Sequence, residues 1–167
     1  MPAAAAHMPN LHHSHDTQPP ASEEALSLHF IADETAVRNM LSVIRNWLCT
    51  AAIASEVQGN IELVMAEALN NVVEHAYADL PRGPVQIDIW KYDAYLAITL
   101  CDAGQPMPGL KLPQTKLPNN DGPLCDLPEG GFGWFLIHQL TDKLTYQRLL
   151  GKNRICFQIC TNPLDIA

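Results

Sequence analysis

The chain has 167 residues and a mass of 18.4 kDa, enough for one domain with a genuine core. Its apolar share of 47% is ordinary for a soluble globular protein, and 18 acids against 10 bases leave a formal charge of −8 and a pI near 5.2. That balance argues against a direct nucleic-acid binder, which carries a basic patch for phosphates, and against docking on an anionic membrane. No stretch approaches the roughly 18 continuous apolar residues of a membrane span. The start, MPAAAAHMPN, lacks the basic and long apolar regions of a secretory signal. Cys49, Cys101, Cys125, Cys156 and Cys160 form an odd set without a CxxC pair, which predicts reduced, mostly buried thiols in a cytoplasmic protein.

Residues 1–24 read as a disordered tail, with four of the seven histidines scattered among Ala, Pro and Ser. The domain then spans 25–167. ALSLHFI alternates from Ala25 and predicts a half-buried strand. Asp33 or Thr35 can cap a helix through Val37, Met40, Leu41, Ile44, Trp47 and Leu48. Gly59 and Asn60 break the pattern, and a second helix is expected from Ile61 to Ala78, stopped by Pro81, Gly83 and Pro84. VQIDIWKY and YLAITLCD form a hairpin around Asp93 and Ala94. From Ala103 to Gly130, six prolines deny helix and ladder alike and suggest a functional lid. A helix follows from the Gly130-Gly131-Phe132-Gly133 run, and KLTYQRLL and NRICFQIC flank Gly151 as the last two strands. Hairpins grouped beside helices predict an α+β two-layer sandwich rather than a doubly wound parallel sheet.

Three constellations could carry chemistry. In the second helix, Met65, Ala68, Val72 and Ala76 fall within about 60° of Ile61, while Glu67, Asn71 and His75 form a ribbon at about 240°, 280° and 320°, along the edge of that buried stripe. A carboxylate, an amide oxygen and an imidazole in a row suit Mg²⁺ carrying a polyphosphate, and equally a plain amphipathic helix with a polar flank. Asp102-Ala103-Gly104, at a strand end, is either a turn or a base reader: the carboxylate accepts from an exocyclic amine, and Gly104 lets a flat ring approach the backbone. Gly131, Phe132 and Gly133 at a helix start let backbone N–H groups face an anion. No GxxxxGK[ST] run exists, and Gly151-Lys152-Asn153 reads as a hairpin turn.

In this order, the three boxes and the proline-rich segment resemble the ATP-binding domain of the GHKL superfamily, over about residues 25–160. EALNNVVEHAY and EGGFGWFLIHQLTDKL are most similar to its anti-sigma-factor serine/threonine kinases. The resemblance implies a Bergerat-type mixed sheet with helices on one face, and ATP with Mg²⁺ as cofactors. It implies Glu67 as the catalytic carboxylate, Asn71 as the Mg²⁺ ligand, Asp102 and Gly104 at the adenine, and Gly131, Phe132 and Gly133 at the phosphates, with His75 in support. It further implies phosphorylation of an anti-sigma-factor antagonist, sequestration of a sigma factor, and a homodimer formed through the first strand or its adjoining helix. Neither a phospho-accepting helix pair before the domain nor a transducer domain after it is expected. Two departures stand out: Glu129 precedes the glycines where relatives can carry a base, with Lys111 or Lys116 as possible substitutes, and a threonine near the last hairpin is replaced around Lys152-Asn153. These departures motivate the alternative of a non-catalytic nucleotide-binding module that sequesters a regulatory partner.

Overall fold

The computed structural model describes residues 25–114 and 132–162; the tail, residues 163–167, and the latter half of the proline-rich segment with Lys116, Cys125, Glu129 and the following Gly131 lie outside them. The elements follow the expected order: β1 (Ala25–Ile31), α1 (Glu34–Thr50), α2 (Ser55–Asn71), β2 (Pro84–Lys91), β3 (Tyr95–Asp102), α3 (Phe132–Leu140), β4 (Asp142–Leu149) and β5 (Lys152–Cys160). Asp33 rather than Thr35 caps α1, its carboxylate accepting from the Ala36 N–H at 2.9 Å.

The strands lie in the order β1-β2-β3-β5-β4. Every described pairing is antiparallel, so the expected mixed sheet is corrected. The β4–β5 hairpin is the cause: it folds back so that β5 runs against β3, with Asp102 opposite Asn153. One face of the sheet is apolar. Val85, Ile87, Ile89, Leu96, Ile98, Leu100, Ile155, Phe157 and Ile159 are buried there with Ile44, Leu48, Ile61, Met65 and Ile137 of the helices. This is the two-layer α+β sandwich, with the helical core on that face.

Three further expectations change. Gly59 and Asn60 do not break the second helix; it starts at Ser55 and runs through them, and the interruption falls at Ala51–Ala54 instead. A mid-helix glycine costs only about 1 kcal/mol, and the flanking Val57 and Ile61 are fully buried. At the other end α2 stops at Asn71 and widens into a π-helical turn, Val72–Ala76. Among the described residues no disulfide forms, but no thiol is fully buried: Cys49 is exposed, and Cys101, Cys156 and Cys160 are half-buried. Those three occupy the strand positions that alternate with the core residues, so the pleat turns them to the opposite face of the sheet. No helix among the described residues is long and apolar enough to cross a membrane.

Candidate functional site

The site forms where the end of α2, the end of β3 and the start of α3 meet. A cavity of about 440 Å³ is lined by Asn71, His75, Asp102, Met107, Trp134 and Asn153, among others. Asn71 and His75 face it from successive turns, although the ribbon is not the regular α-helical one expected. The π turn carries an extra residue, which swings His75 and Ala76 toward the loop after β3. There the Ala76 carbonyl accepts from the Gln105 N–H at 2.7 Å. Gly104 packs directly on Ala76: a Cβ at 104 would sit 2.8 Å from the Ala76 Cβ and closer still to its carbonyl oxygen. Tyr77 closes the corner, its hydroxyl donating to Pro84 O at 2.9 Å and accepting from the Ala103 N–H at 3.0 Å.

Asp102 is the most constrained of the expected residues. It is 4% exposed. Its Oδ1 accepts from the Gly104 N–H at 2.8 Å and from Asn153 Nδ2 at 2.7 Å. Among the described residues Oδ2 has no protein partner. Burial pushes the carboxyl above its ordinary range, opposed by the Asn153 and Gly104 hydrogen bonds and by the Arg148 cation. A deprotonated carboxylate held this way presents an acceptor and no donor.

Asn71 is the last residue of α2, and among the described residues its buried Nδ2 has no hydrogen-bond partner. A buried orphan donor costs about 1–3 kcal/mol, so an incoming acceptor would be favoured at this amide. A phosphate oxygen would meet the nitrogen, and the amide oxygen suits a hard cation. Among the described residues no cluster of three or more His, Cys, Asp or Glu could cage a metal. The donor set therefore fits Mg²⁺ of the kind that takes most of its oxygens from phosphate and water.

One turn back along α2, the half-buried Glu67 reaches α3. A Cβ at Gly133 would collide with Glu67 Oε2. Gly133 thus provides the space in which the carboxylate lies, a role separate from any contact with phosphate. Phe132, the first residue of α3, is 42% exposed, and Trp134 after Gly133 lines the cavity. The expected phosphate contacts of Gly131 fall outside the described residues. Lys111 is exposed.

The model of the histidine kinase-like ATPase domain matches residues 30–159. The chain belongs to that family. It is 32% identical over 93 residues to the serine-protein kinase RsbW of Oceanobacillus iheyensis, covering 55% of this chain and 59% of that one. It is 37% identical over 87 residues to the serine-protein kinase RsbW of Halalkalibacterium halodurans, covering 51% and 52%. The chain thus spans little more than half the length of these curated relatives. The crystal structure of the RsbU and RsbW domains of Rv1364c from Mycobacterium tuberculosis superposes with a TM-score of 0.59 at 17% identity, over 84% of this chain and 33% of that one, and supports the fold.

The sequence marks Lys152-Asn153 as the place where a threonine of relatives is replaced, but does not name Asn153 as a site residue. Nor is Asn153 part of the hairpin turn: the turn is made by Leu150 and Gly151, both with positive φ, and β5 has begun by Lys152. The usable signal was parity. In NRICFQIC, Asn153 shares its face with Ile155, Phe157 and Ile159, so a lone amide continues a core stripe.

Proposed function

We propose that this protein is an ATP-dependent serine/threonine protein kinase acting as an anti-sigma factor: it phosphorylates an anti-sigma-factor antagonist and sequesters a sigma factor. The observation that carries this reading is one cavity lined by two residues whose polar atoms lack a partner among the described residues, the orphan amide of Asn71 and the open Oδ2 of Asp102. They match the two ends of a nucleotide. Asp102 accepts the adenine amine and Gly104 leaves room beneath the ring. Asn71 holds Mg²⁺, which when bound offsets phosphate charge. Gly131, Phe132 and Gly133 offer backbone N–H groups to the phosphates, and His75 supports the wall between the two ends.

Glu67 orients the acceptor hydroxyl and takes its proton as the oxygen bonds to the γ-phosphorus. The bond to the β–γ bridging oxygen breaks, and ADP leaves. Most of the rate enhancement comes from positioning and charge neutralisation. The alternative, a nucleotide-binding module that sequesters its partner without catalysis, draws on the position of Glu67 itself, since its carboxylate lies against Gly133 rather than among the cavity-lining groups.

Transfer of label from γ-labelled ATP to a candidate antagonist protein separates the two readings. Glu67→Gln should slow transfer by about 10²–10⁴-fold with nucleotide affinity retained. Asn71→Ala should lose Mg²⁺-dependent affinity as well as transfer. Equal rates for Glu67→Gln and wild type would remove the base and favour the sequestering module.

A further inference from the structure

We infer that Asn153 sets the base selectivity of the cavity as a positioning residue, by locking the Asp102 carboxylate so that one oxygen alone is left to meet the base. The inference rests on the nucleotide reading above.

Asn153 is 3% exposed and lies directly opposite Asp102 in the β3–β5 register. Its Nδ2 donates to Asp102 Oδ1 at 2.7 Å and to the Gln105 carbonyl at 2.8 Å. Its Oδ1 accepts from Tyr146 Oη at 2.8 Å and from Arg148 Nη1 at 2.6 Å. Both donors and both acceptor positions of the amide are therefore used within the protein. The orientation follows from chemistry alone. Flipping the amide would aim its NH₂ at two donors and its oxygen at a carboxylate and a carbonyl.

The same residues fix the floor of the cavity. Arg148 Nη1 also donates to the Gly104 carbonyl at 3.0 Å, and Tyr146 Oη accepts from the Met107 N–H at 3.1 Å. The β4–β5 hairpin thus holds segment 104–107 and the Asp102 rotamer together through one amide. With Oδ1 occupied by Gly104 and Asn153, Oδ2 can only accept. A 6-amino purine donates to it; a 6-oxo purine places oxygen against oxygen. Asn153 has no bonding capacity left for the base, so its effect on selectivity passes through Asp102. A buried polar network of this kind rejects a mismatched ligand because the mismatch strands its groups unpaired.

The test is calorimetric titration, with Mg²⁺ present, of ADP and of inosine diphosphate, which differ in the 6-substituent. The proteins are wild type, Asn153→Ala, Asn153→Asp and Tyr146→Phe. Wild type should prefer ADP, and Asn153→Ala should narrow that preference by at least about tenfold, mainly through loss of ADP affinity. Asn153→Asp conserves size but sets a second carboxylate against Asp102. That removes the donor holding Oδ1 while Oδ2 stays an acceptor, so the preference should narrow as it does in Asn153→Ala. Tyr146→Phe leaves Asn153 in place with one bond fewer, and should narrow the preference by less; it keeps the test decisive if the Asn153 variants fail to fold. A purely structural role predicts equal losses for both nucleotides, and that result, or a wild-type preference surviving in the folded variants, would overturn the inference alone. Wild-type protein that binds neither nucleotide would overturn the ATP reading and this inference with it.

Discussion

Burial raises the Asp102 carboxyl, while Asn153, Gly104 and Arg148 pull it back toward ionisation. Its folded pKa lies above the unfolded one, so the cost of holding it charged is present above the folded value and is relieved as pH falls through it. On the proposed reading Asp102 accepts from the base amine, so the same protonation would remove that contact. Nucleotide affinity should therefore weaken on acidification at a pH above the ordinary carboxylate range. Titrations at several pH values should show this loss in wild type and in His75→Gln, which removes the other cavity-lining titratable side chain, and a flattened profile in Asp102→Asn. A profile abolished by His75→Gln instead would assign the effect to the imidazole. The contrast between Asp102 and Asn153 also marks what single residues disclose. Asp102 was legible because Gly104 lies two positions away; for Asn153 only the replaced threonine was legible and not its bond to Asp102, because that partner stands 51 positions back and meets it only once β5 pairs with β3.

The element sequence was readable because alternation and helical spacing are strong in the strands and in α1. The end of α2 was not readable in detail. Its apolar stripe continues through Val72 and Ala76 at helical spacing, but Asn71 ends the α-helix and the π turn takes over. What selects the wider turn is tertiary: Gly104 packed on Ala76, the Gln105 N–H bonded to its carbonyl, and Tyr77 tied to Pro84 and Ala103. β1 shows a related limit. The resemblance puts a dimer contact at the first strand or its adjoining helix, yet Leu26, Leu28 and Phe30 pack against the core, and Ser27, His29 and Ile31 are the exposed set. What β1 offers is its unpaired backbone edge, since it pairs with β2 alone among the described strands. A homodimer through that edge remains our proposal. Light scattering should give twice the 18.4 kDa chain mass, and a value of one chain mass at working concentrations would exclude it.

Taken whole, the molecule is an acidic sandwich whose nucleotide site depends on local groups. A charge of −8 offers a polyphosphate no long-range attraction. On the proposed reading, binding comes from Mg²⁺ at Asn71, from backbone N–H groups at the start of α3, and from the base contact at Asp102. Glu129, which precedes the glycines where relatives can carry a base, lies outside the described residues, as does Gly131. The most direct measurement is calorimetric titration of the full chain with ATP, with and without Mg²⁺. The account predicts a saturable complex in the micromolar range that weakens sharply when Mg²⁺ is withdrawn. Absence of binding heat and of competition by ADP in the presence of Mg²⁺ would contradict it.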